Sequence, residues 1–170
     1  MNAVDYVNLM QREDPTVDAA TLVDAYARGP IELRGAVEGM TGEQARARPV
    51  AGLWSTVEVV AHLAGTELYQ ADRIERTLAA ERPLLIGVDE RPYPSRLNYQ
   101  DLDLAEELEL LSAVRRHVAR VLRSQPAEAW GRVAVHSESG LVSLRQLVWQ
   151  PVRHLAHHLP FIAAKRAASG

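Results

Sequence analysis

Apolar residues recur every three to four positions along four stretches of the chain, and each stretch reads as one amphipathic helix. The first covers about residues 17–39, where Leu22, Val23, Tyr26, Ile31, Leu33, Ala36 and Val37 supply the apolar positions across a Gly29-Pro30 pair that predicts a kink. The second follows Ser55-Thr56, a pair suited to capping, and carries Val57, Val60, Ala64, Leu68, Ala71, Ile74 and Leu78 to about residue 80. The third spans about 102–123, with Glu106, Glu107 and Glu109 early and Arg115, Arg116, Arg120 and Arg123 late, as the helix dipole favours. The fourth runs from about 143 toward 168, with Leu144, Leu147, Val148, Val152, Leu155, Leu159 and Ile162 on one face. Glycine and proline gather between these stretches, mainly at 40–52, 82–94 and 125–140. The pattern predicts one all-α domain over residues 1–170, folded as a four-helix bundle.

Composition agrees and removes several chemistries. A chain of 170 residues with 47% hydrophobic and 24% charged residues is long enough to bury a proper core as one soluble domain. Nineteen basic against twenty-two acidic residues leave a net charge of −3, so no global field draws the chain to nucleic acid or to an anionic membrane, and neither is expected as a partner. Cysteine is absent, which excludes disulfides, thiolate zinc sites, iron–sulfur clusters and a cysteine nucleophile. Any thiol chemistry therefore needs a thiol from outside. The first fourteen residues contain acids and no apolar run fit for a signal peptide or membrane span, so the expected location is cytoplasmic.

Histidine is where the polar pattern departs from packing. Three of the six His residues fall in VRHLAHHLPFI of the fourth helix, with His154 and His158 four apart and His157 between them. Residues four apart lie roughly 5–6 Å from each other at Cβ, close enough to share one divalent ion. On the wheel His158 falls about 40° and His154 about 80° to one side of the apolar centre, whereas His157 points about 140° away, toward solvent or an interface. The pair His154/His158 is thus half a metal site, or else two partly buried imidazoles satisfied by hydrogen bonds. His62 on the second helix shares a polar strip with Glu58, Thr66 and Tyr69, away from the apolar centre, and an ordinary solvated face accounts for that strip taken alone.

Taken together, GLWSTVEVVAHLAGTE and the later HLAHHL resemble the DinB-like (DinB/YfiT-like) family. Its pattern is a Trp-Ser pair opening the second helix, a Glu three residues after the Ser, a His four further on, and a late H-x-x-x-H; Trp54, Ser55, Glu58, His62, His154 and His158 stand in that order. The preceding GPIELRGAVEGMTGEQARARPVAG is similar to the family's first helix and connecting loop, so the resemblance extends over nearly the whole chain. It implies a four-helix bundle, commonly a homodimer, with a divalent metal such as nickel or zinc held by three histidines, here His62, His154 and His158. It also implies a metal-dependent enzyme acting on a small molecule, as a hydrolase or as a transferase using a low-molecular-weight thiol. The alternative from another class is a non-catalytic dimeric bundle with a vestigial or structural site. Pro151 and Pro160 bracket the late histidines and depart from the pattern, so a kink shifting the ligand vectors is expected there.

Three neutral imidazoles leave the full 2+ charge of such an ion uncompensated and a coordination position open, as in catalytic rather than closed structural sites. Glu58, one turn before His62, is either an acceptor orienting that imidazole or an exposed carboxylate of the first helical turn. Trp54, Trp130 and Trp149 read as packing residues, and His117 and His136 as surface or boundary residues. The long connection RPLLIGVDERPYPSRLNYQ, with Tyr93, Arg96 and Tyr99, is a lid or binding wall, or packed surface.

Overall fold

Capping side chains set where the long helices begin. Asp18 accepts from the Thr21 N–H at 2.7 Å and starts α1, Ala19–Val37; Asp103 accepts from the Ala105 and Glu106 N–H groups and starts α5, Leu104–Arg123. Ser55 and Glu58 form a reciprocal capping box at the head of α3, Thr56–Ala79, and Thr41 with Gln44 does the same for the short α2, Gly42–Arg46. The remaining elements are β1 (Leu84–Leu85), α4 (Tyr93–Arg96), 3₁₀ turns at Tyr99–Asp101 and Ala127–Gly131, β2 (Val133–His136), β3 (Gly140–Ser143) and α6 (Leu144–Ala168). The structure, a computed structural model, describes residues 13–49 and 53–168.

The four long helices are the bundle. Helix α1 packs on α5 and α6, and α3 packs on the same two, so α1 and α3 face each other across a diagonal. Side-chain pairs give the directions. Arg123 at the end of α5 reaches Asp24 near the start of α1, so these two are antiparallel; Arg166 at the end of α6 reaches the Ala36 carbonyl near the end of α1, so these two run together. Glu67 and Glu75 of α3 meet Arg115 and His117 of α5 in the same order along both helices, which makes α3 and α5 parallel. Two consecutive parallel helices cannot be joined by a tight turn. The 80–103 connection must travel back along α3, whose 24 residues span about 36 Å.

That return crossing explains a small sheet added to the helical bundle. β1 pairs in parallel with β2, which pairs antiparallel with β3; Leu85, Ala134 and Val142 face inward and join the core beneath α1, α3 and α6. Gly140, at φ +73°, closes the hairpin turn where a side chain would be strained. The crossing also covers α3. Residues 55–64 are all buried, including Glu58 and His62, because α2 and the 99–101 turn lie over the face that an isolated bundle would expose. The polar strip of α3 is therefore interior, not solvated.

At mid-height the core contains a charge. Arg115, 1% exposed, donates from Nε to Glu67 Oε2 at 2.8 Å, from Nη1 to the Tyr26 carbonyl at 3.3 Å and from Nη2 to the Pro151 carbonyl at 2.8 Å. Tyr26 donates its hydroxyl to Glu67 Oε1 at 2.6 Å, and the guanidinium stands 4.9 Å over its ring. Pro30 lacks the N–H that would serve the Tyr26 carbonyl four residues back, so Arg115 replaces a bond that proline removes. Helix α1 runs unbroken through Gly29-Pro30, and Gly29 is required there because a Cβ would land on the Arg115 guanidinium.

Removing one member of such a cluster leaves the other charge buried and uncompensated. Arg115→Ala is expected to lower the unfolding free energy by about 3–5 kcal/mol, and Arg115→Met with Glu67→Leu by clearly less. Denaturant unfolding of both variants checks this; an Arg115→Ala cost below about 1 kcal/mol contradicts the account.

Candidate metal centre

Helix α3 presents His62 in its second turn, at a depth fixed by the Ser55 cap. Helix α6 presents His154 and His158 one turn apart on the facing side. Their rings meet edge to face, with centroids 4.8–5.2 Å apart. The Nε2 atom of His154 lies 2.9 Å from Nε2 of His62 and 3.1 Å from Nε2 of His158. Both Pro151 and Pro160 sit within an α6 that continues from Leu144 to Ala168, so the expected displacement of the ligand vectors does not keep these nitrogens apart.

Oxygen atoms stand beside the outer nitrogens of two of the rings. Thr66 spends its hydroxyl proton on the Leu63 carbonyl at 3.0 Å, leaving its oxygen to face His154 Nδ1 at 3.4 Å. The Glu90 carboxylate lies 3.6 Å from His62 Nδ1 and accepts from the Tyr69 hydroxyl. Both oxygens are placed to accept a proton carried on Nδ1, the tautomer that leaves the lone pair on Nε2. Burial drives the His62 pKa down to about 4; burial together with His62, His157 and Lys165 brings that of His158 to about 3, and His154 is lowered well below its ordinary value by the same desolvation. The three rings are neutral near pH 7, and their Nε2 atoms gather at one point.

That donor set fits a divalent cation. Metal–nitrogen bonds of about 2.0–2.1 Å put two nitrogens about 2.9 Å apart at a right angle and about 3.3 Å apart at the tetrahedral angle. Both separations from His154 Nε2 fall in that interval, and the three donor atoms lie within 4.8 Å of one another.

Among the other candidates, His157 lies half-buried outside this cluster, its ring against His158 and Phe161. His117 pairs with Glu75 at the surface, and His136 accepts from the Glu138 and Ser139 N–H groups in the hairpin. Glu58 does not face His62. Its carboxylate accepts from the Ser55 N–H at 2.7 Å and from Arg48 at 2.6 and 3.0 Å, contacts that hold its pKa down. The carboxylate at His62 is Glu90, from the long connection, where no local pattern marked it. Trp54 leans on His62 with ring centres 5.0 Å apart, and Tyr99 packs its hydroxyl against Gly65.

Residues 25–162 match the DinB superfamily. The chain belongs to that superfamily. It is 26% identical over 132 residues to a protein of Oceanobacillus iheyensis provisionally described as a metal-dependent hydrolase, covering 75% of this chain and 76% of the relative. It is also 26% identical over 133 residues to YfiT of Bacillus subtilis, described in the same provisional terms, covering 75% of each chain. The solved structure of Bacillus subtilis YfiT, reported with an unusual four-helix-bundle topology, superposes with a TM-score of 0.82 over 91% of this chain and 90% of that one at 22% identity, which shows the superfamily fold.

Replacing Glu90 with Gln is expected to weaken zinc affinity about 10- to 100-fold by loosening the His62 ring. Glu58→Gln should leave that affinity within about threefold and act on helix stability instead. Isothermal titration of zinc into each variant decides between the two carboxylates.

Proposed function

We propose that the protein is a metal-dependent hydrolase of a small molecule, with a divalent ion such as zinc or nickel held by His62, His154 and His158. The convergence of the His62 and His158 Nε2 atoms to within 3.1 Å of His154 Nε2 carries this reading, and the provisional description of the relatives as metal-dependent hydrolases supports it. A divalent ion in that place supplies Lewis acidity, which makes water, or a thiol from outside, nucleophilic near neutral pH. The chain's own part is to aim and insulate the donors: Glu90 and Thr66 hold protons on Nδ1, and Trp54 shields one flank of His62.

Hydrolysis and thiol transfer place different demands on the same centre. The absence of cysteine means that transfer requires an added low-molecular-weight thiol, whereas hydrolysis requires the metal and water alone. The homodimer implied by the family resemblance belongs to the same proposal, and a monomer by light scattering at micromolar concentration removes it.

His62→Ala, His154→Ala and His158→Ala should each abolish tight metal binding, and His157→Ala should retain it. Metal-loaded protein assayed on simple esters, amides and electrophiles, with and without thiols, should turn over esters or amides with metal alone. Turnover only with thiol replaces hydrolase by transferase; silence throughout from protein shown to hold its metal favours the non-catalytic bundle.

A further inference from the structure

Arg116, Arg120 and Arg123 recur four and three residues apart, which places them on one strip of α5. Beside that strip, α1 presents Ala27, Pro30, Ile31 and Arg34 at the same helical spacing. The two antiparallel helices leave a groove of about 410 Å³ between the strips, with the buried Pro30 and Ala119 at its floor and the four arginines along its edges. Among the described residues Arg123 has an acid at hand, Asp24 at 2.7 Å, whereas Arg34, Arg116 and Arg120 are exposed and have no ion-pair partner. The helix dipole accounts for a base in a last turn, but Arg116 stands two turns inside the end of α5. Of the nearby acids, Glu109 lies two turns before Arg116 on the same strip, and Glu32 of α1 points about 140° away from Ala27. The groove is therefore locally basic on a chain whose net charge is −3.

An apolar element runs through the same groove. Ile31, 72% exposed, is the most exposed large hydrophobic side chain among the described residues, and it stands between Arg34 and the arginines of α5. Past Ile31 and Arg34 the groove continues into a depression of about 690 Å³ lined by Val37, Met40, Leu104 and Leu108. Glu38 and Asp103 border this second part, Asp103 already engaged as the α5 cap. From Leu104 to Arg123 the α5 wall is about 28 Å long, or about five turns of helix. A basic strip that passes without a break into an apolar trough suits a ligand carrying acids and apolar side chains along one face, as an amphipathic acidic helix does. Nucleic acid stacks its bases on rings, and no aromatic side chain lines either depression among the described residues. A two-fold contact between copies through this face would set arginine against arginine.

We propose that the α1/α5 groove docks an acidic amphipathic helix of a partner protein, its carboxylates against Arg34, Arg116 and Arg120 and its apolar side chains on Ile31 and in the trough beyond. The groove belongs to the two long helices that do not carry the histidine cluster, so the docking site stands independently of the hydrolase reading.

The probe is a fluorescein-labelled peptide of about 18 residues, five helical turns, with leucine at every third or fourth position and glutamate on both flanks of that stripe. Fluorescence anisotropy with the full-length protein should show saturable binding, weakened at least tenfold when glutamine replaces the glutamates and at least tenfold when salt rises from about 0.05 to about 0.5 M. Arg116→Gln combined with Arg120→Gln should weaken binding at least tenfold and Ile31→Ser at least threefold. Arg82→Gln, outside the groove, should change it less than twofold, and thermal midpoints with zinc titration check that each variant is folded. Binding that survives the paired arginine substitution or the exchange of glutamate for glutamine overturns the proposal, as does the absence of saturable binding up to millimolar protein. Displacement of the peptide by tripolyphosphate, or by an oligothymidylate of about 15 nucleotides, at lower concentration than by unlabelled peptide overturns it in favour of a polyphosphate or nucleic-acid site. A change of oligomeric state in the paired variant, read by light scattering, makes the face a contact between copies and overturns it too.

Discussion

The Arg115 guanidinium is the group through which all four long helices meet. Carried on α5, it pairs with Glu67 of α3, serves the Tyr26 carbonyl and ring of α1, and donates to the Pro151 carbonyl of α6. A buried ion pair contributes little net stability compared with apolar side chains of equal volume, because desolvating the charges offsets most of their attraction. What it does contribute is register. Apolar ridges tolerate sliding by a turn, whereas three guanidinium nitrogens donating to a carboxylate and two carbonyls do not. Gly29 and Pro30 complete the arrangement by removing, respectively, the side chain and the backbone donor that would compete for the same space.

The histidine centre inherits that register. Glu67 lies five residues beyond His62 on α3, and Pro151 three residues before His154 on α6. The two helices that carry the three imidazoles are thus tied to one guanidinium little more than a turn away from those rings. The neutral Nε2 atoms are brought to 2.9 and 3.1 Å by helix placement, with Thr66 and Glu90 adjusting only ring rotation and tautomer. This division of labour suits a site with neutral ligands, where a misplacement of a fraction of an ångström cannot be recovered by charge attraction between protein and ion.

Local periodicity was enough to read the four helices, the Ser55 cap and the His154/His158 pair, since each depends on residues within one or two turns of each other. His62 was readable as a partner only through the family resemblance. The wheel assigned its strip to solvent because a wheel counts one apolar face, and α3 is covered on its second face by α2 and the 99–101 turn, segments remote in sequence. Arg115 was misread for the same reason: a basic residue late in a helix satisfies the dipole rule as well as a buried ion pair does, and only Glu67, 48 residues away, distinguishes the two. Glu90 and the small sheet both arise from the return crossing between parallel helices, a matter of topology that no window of the sequence carries.

That crossing has a consequence for chemistry. An up-down-up-down bundle closes its ends with short turns, but here two parallel neighbours force 80–103 along the outside of α3, past His62. The connection supplies Glu90 beside the His62 ring, while Trp54 and His158 border an apolar cleft shared with Leu53, Val59 and Phe161. A carboxylate beside His62 would offset part of the charge that a divalent ion brings. Parallel α3 and α5 thus produce an asymmetry at the histidine cluster, a carboxylate beside one ring and an apolar opening beside another, that follows from helix direction before any single side chain is considered.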